Sequence, residues 1–91
     1  MFLKHDKVVT NLNGLLSLTI ENEKIIFEYN SFGRGENTFQ DIVFPNNTFS
    51  AAVYGFICTQ MYKNKRLIDI DKFLVGYIEA LTNPIKQEDV K

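Results

Sequence analysis

Residues 46–62 read Asn-Asn-Thr-Phe-Ser-Ala-Ala-Val-Tyr-Gly-Phe-Ile-Cys-Thr-Gln-Met-Tyr, capping chemistry followed by three turns with almost no polar side chain. A helix that is apolar nearly all round has to be buried on most sides. In a chain of 91 residues such a helix is expected at the centre of the fold, with the rest wrapped on it. Asn47 or Thr48 is placed to cap a helix over 49–62, and Lys63, Lys65 and Arg66 follow where positive charge complements the helix dipole. The longest apolar run, 51–58, falls well short of the roughly 18 residues that a membrane span needs.

The preceding half of the chain alternates with a period of two. Leu16, Leu18 and Ile20 alternate with Ser17, Thr19 and Glu21; Ile25, Phe27 and Tyr29 then alternate with Lys24, Glu28 and Asn30. A two-residue turn at Asn22–Glu23 sets Ile20 opposite Ile25, Leu18 opposite Phe27 and Leu16 opposite Tyr29. All three apolar pairs then share one face, so turn length and pattern agree on a register. Asn13-Gly14 is a type I′ turn signal and implies an earlier strand over 7–12, with Val9 opposite Leu18 if the loop is strictly two residues. Residues 31–37, Ser-Phe-Gly-Arg-Gly-Glu-Asn, read as a loop, and 38–44 as a further strand that Pro45 ends.

After a linker over 63–68, a second helix is expected over 69–81. Its residues Ile70, Phe73, Leu74, Tyr77, Ile78 and Leu81 lie on one stripe, and Asp69 or Asp71 supplies the cap. The expected fold is therefore α+β: an antiparallel meander of three or four strands, then two antiparallel helices packed on one sheet face. Residues 1–84 form one domain in this reading, and 85–91 a frayed, mostly charged tail.

Composition narrows the function classes. A net charge of −1 and a pI near 5.7 provide no global field to recruit nucleic acid or an anionic membrane. The lone Cys58 excludes an internal disulfide and a cysteine-based zinc cluster. Charges begin after Phe2-Leu3, unlike a signal peptide, which favours a reducing cytoplasm. Nine Asn, nine Ile and eight Lys suit an AT-rich genome such as a low-GC bacterium or its phage.

Each residue type that carries chemistry has a plain structural reading. Cys58 sits inside the apolar helix, remote from its N-terminus, and is read as a small buried hydrophobe. His5 lacks a second ligand nearby and is read as exposed and idle. Asp69 and Asp71 lack the further oxygen ligands and glycine of a calcium loop, so capping accounts for them. Phe32-Gly33-Arg34-Gly35 lacks both the lysine and the helix of a phosphate loop.

No nucleophile–base pair, metal set or cofactor loop emerges. The chain is expected to be a non-enzymatic module that docks on another protein, in the manner of an inhibitor, an immunity protein or a phage accessory factor. The contact residues expected are Phe32, Arg34 and Glu36 in the loop, with Tyr54, Met61 and Tyr62 on one flank of the first helix. A bare flank would suit a homodimer. The alternative is nucleic-acid binding through Arg34 with Lys63, Lys65 and Arg66, which near-neutral charge disfavours.

Overall fold

A computed structural model describes residues 1–30 and 35–82. The chain runs β1 (Phe2–His5), β2 (Val8–Asn11), β3 (Leu15–Glu21), β4 (Lys24–Tyr29), β5 (Thr38–Val43), α1 (Asn47–Tyr62), β6 (Leu67–Asp69) and α2 (Ile70–Thr82). The fold is α+β, with the β3–β4–β5 meander and helices packed against it, and a second three-stranded sheet ordered β2–β1–β6. Phe32 and Arg34 lie outside the described residues, as does the expected tail over 85–91.

The meander keeps the register that alternation dictates. Ile20 faces Ile25 and Leu18 faces Phe27, while β5 adds Ile42 beside Ile25. Leu16 departs from expectation. A bulge between Leu15 and Ser17 puts Leu15 opposite Tyr29 and leaves Leu16 more than half exposed. The extra residue absorbs the mismatch between the meander and the turn that enters it.

That turn is the larger correction. Asn13-Gly14 does form a tight turn, with Leu15 N–H donating to the Leu12 carbonyl at 3.1 Å and Gly14 at φ 84. Only Gly14 has positive φ, so the geometry is not the type I′ form that closes a hairpin. It carries the chain from one sheet to the other. The strand before it, β2, pairs with β1, and Val9 stands opposite Lys4 instead of Leu18. The β1–β2 hairpin is closed by its own two-residue turn, Asp6–Lys7, at φ 51 and 68, built without glycine.

The linker expected over 63–68 contains β6, which lies parallel to β1 with Phe2 beside Leu67 and Leu3 beside Ile68. Phe2 N–H donates to the Arg66 carbonyl at 2.7 Å, which starts this ladder. Both outer strands of the second sheet are too short for an alternation to declare itself in sequence.

α1 is capped one residue earlier than expected: the Asn46 side chain accepts from Phe49 N–H at 2.9 Å. It is not the enclosed centre of the fold. Ser50, Val53 and Ile57 are buried, whereas Ala51, Gly55, Cys58, Thr59 and Tyr62 face outward. The outward side consists mainly of small residues, so it reads as apolar in sequence while burying little. α2 lies antiparallel against α1, with Phe56 stacked on Phe73 (centroids 4.3 Å apart) and Phe49 edge-on to Tyr77 at 5.3 Å. Leu3, Ile25, Phe27, Ile42, Val53, Ile57, Ile68 and Ile70 join both sheets and both helices in one buried cluster.

Candidate functional site

The outer face of the β2–β1–β6 sheet is built by strand alternation. Leu3 and Ile68 point inward and are fully buried, which turns Phe2, Val9 and Leu67 outward. These three stay 45%, 59% and 49% exposed. With Met1 and Arg66 they line an open cleft of about 780 Å³. A second groove, about 460 Å³, runs along the other side of Leu67 between β6 and the helices, lined by Phe56, Gln60, Lys65, Asp69, Lys72 and Phe73. Leu67 is the ridge between the two.

The N-terminal hairpin of this sheet is tied to α2 by Asp71, in the first turn of that helix. Each of its oxygens lies 3.0 Å from the Asp6 N–H, and Lys4 Nζ is at 3.2 Å. The Asp6 hydrogen bond first, then the Lys4 ammonium, hold the Asp71 carboxyl below the usual carboxylate range. His5 is therefore neither idle nor fully exposed. Its Nδ1 approaches Asp71 Oδ1 to 3.3 Å off the hydrogen-bonding direction, so the contact is one of charge only when His5 is protonated. Its ring rests on Phe44 at 5.8 Å. Asp69, two residues earlier, caps α2 by accepting from Lys72 N–H at 3.0 Å. The two aspartates thus divide capping and stapling between them.

Of the contact residues expected from sequence, the described ones, Glu36, Tyr54, Met61 and Tyr62, do not gather into one site. Glu36 is exposed at the open end of the meander, near Glu28, Gly35, Asn37 and Phe39. Glu28 accepts from Asn37 and Ser17, each at 2.9 Å, and these bonds lower its pKa, Asn37 contributing most. Tyr54 is half-buried, its hydroxyl donating to the Leu18 carbonyl at 3.4 Å. Met61 packs partly on the core, and Tyr62 is 92% exposed.

Cys58 is exposed, contrary to the buried hydrophobe expected. It lies one turn from Tyr54, whose phenol pKa it pushes up through its charge. Sequence missed Phe2, Val9 and Leu67 because each lies in a strand of three or four residues. Among the described residues, no cluster of three or more His, Cys, Asp or Glu side chains could hold a metal ion. Nor is any helix there long and apolar enough to cross a membrane.

The fold and clefts define a small α+β domain of two three-stranded sheets bridged by a helical pair. Comparison with protein-family models, curated proteins and solved structures finds no match.

Proposed function

We propose that the chain is a non-enzymatic module that acts by docking on another protein. The observation that carries this reading is the exposed apolar row of Phe2, Val9 and Leu67 beside a concave surface. Apolar side chains gathered in a cleft are a surface that gains by being covered, which scattered exposed residues are not. The inhibitor, immunity and phage-accessory roles are forms of the same activity, set in a cytoplasmic host.

Affinity capture from a lysate of the source organism, followed by mass measurement, tests it. One stoichiometric protein partner is expected, and a Val9→Lys variant, altered at an exposed position, is expected to lose it. Recovery of nucleic acid alone would overturn the reading.

A nucleic-acid reading is favoured by one observation. Lys63, Lys65, Arg66 and Lys72 are exposed without an ion-pair partner among the described residues, and Tyr62 offers an open ring beside them. It requires salt-sensitive binding of a dT20 or U20 oligonucleotide. An absence of binding at low salt removes it.

A further inference from the structure

We propose that the outer edge of β6 receives an extended segment of a partner protein, in which an apolar residue is flanked on both sides by acidic ones. This inference rests on the docking reading above and names its site and the chemistry of its partner.

Among the described residues the edge is open: in the order β2–β1–β6, β6 pairs with β1 alone. The Arg66 carbonyl bonds to Phe2 N–H, and groups that face a neighbour alternate along a parallel strand. Ile68 therefore turns its N–H and carbonyl toward β1, and Leu67 turns both of its own away. Asp69 likewise turns its N–H away. A strand laid alongside finds backbone donors and an acceptor waiting, the mode by which peptides extend sheets.

The two clefts fit the side chains of such a strand. A residue directly opposite Leu67 projects to the same face as Leu67 and prolongs the Phe2–Leu67 row, so it meets apolar surface. Its neighbours project to the opposite face, into the groove floored by Phe56 and Phe73. Lys65 and Lys72 line that groove, with Lys63 and Arg66 close in sequence; none of the four has an ion-pair partner among the described residues. Among the described residues the only carboxylate lining it, Asp69, already caps α2. The imbalance selects acidic side chains. It also disfavours a second copy on this edge, since two such cation sets would then face each other.

The test selects a random linear 12-mer phage library on the full chain and measures the enriched peptides by fluorescence anisotropy. Enriched sequences are expected to alternate acid–apolar–acid. Binding is expected to weaken at least tenfold with the double variant Lys65→Glu/Lys72→Glu, whose exposed positions leave the fold intact by circular dichroism. Methylating the peptide amide that meets the Leu67 carbonyl is expected to weaken it similarly, while amide shifts centre on residues 66–69. Four results would overturn the proposal: no enrichment, peptides without acidic residues, indifference to both changes, or displacement of the peptide by U20. Peptides that map instead to the exposed side of α2, around Val75, Ile78 and Leu81, sink the β6 site and leave the docking reading standing. An empty library together with empty affinity capture sinks both.

Discussion

Ile57 and Cys58 are neighbours in the same apolar run, yet their side chains live in different media. Ile57 is fully buried in the central cluster, while Cys58 faces solvent. Truncating Ile57→Ala removes buried methyl and methylene groups and leaves a cavity, so unfolding in urea is expected to show a loss of about 2–5 kcal/mol. Cys58→Ala should stay within about 0.5 kcal/mol, as surface changes do. A large cost at Cys58 would mean that the outward side of α1 is covered after all. Ser50 makes the complementary point for a polar group. It is wholly buried, its hydroxyl donating to the Asn22 carbonyl at 2.6 Å, with the Asn47 carbonyl at 3.0 Å as a weaker alternative. Ser50→Ala leaves the Asn22 carbonyl without that donor, and the same titration is expected to show a loss of about 1–3 kcal/mol. Neither burial can be read from residue type. Both depend on which helical face the meander meets.

At the scale of elements, local chemistry was legible where an element was long and amphipathic. The β3–β4 hairpin follows from Leu18, Ile20, Ile25 and Phe27, where period and burial coincide, and α2 from its stripe, of which Ile70 is fully buried while Ile78 and Leu81 stay exposed. α1 was legible as a helix but misleading as to its setting. Ala51, Gly55 and Cys58 count as apolar in a pattern while offering little area to bury. Gly55 shows this directly: a Cβ added there meets nothing within 4 Å. Gly55→Ala is thus expected to stabilise the helix by about 1 kcal/mol. In a domain of this size that corresponds to a rise of about 4–8 °C in Tm by calorimetry. An unchanged or lowered Tm would show that the glycine answers a constraint outside the chain. β1, β2 and β6 are three or four residues each, too short for alternation to distinguish them from loop. The Asp6–Lys7 turn escaped notice for a related reason: its left-handed backbone is supported by Asp71, 65 positions away, and not by glycine.

Across the whole molecule, Asp71 joins the N-terminal hairpin to the C-terminal helix, and its protonation state sets how firmly. Its carboxyl pKa is lowered in the fold, first by the Asp6 N–H and then by Lys4. A depressed carboxylate binds its proton less readily folded than unfolded, where its pKa is about 3.9. The staple therefore contributes fully above that value and is lost as pH falls through the lower folded one. Wild type and Asp71→Asn are expected to differ in urea midpoint at pH 7, with the gap closing as pH drops below about 4. A gap that persists at pH 3 would show that shape, not charge, does the stapling. Of the site proposed at β6, the cations Lys63, Lys65 and Arg66 were legible and the apolar ridge was not. The cations are contiguous in sequence, whereas Phe2, Val9 and Leu67 become neighbours only through strand pairing. By itself the sequence determined what short-range periodicity and capping govern: the α+β class, the central hairpin and its register as far as the bulge at Leu16, and both helices. Tertiary structure alone decided which side of α1 is wet, where the first hairpin pairs, and that residues 67–69 form a strand beside β1. The pairing of residues 67–69 with β1 and the tie of the first hairpin to α2 depend on contacts across more than sixty positions, and the wet side of α1 on contacts with the meander about thirty positions away, to which a local pattern carries no signal.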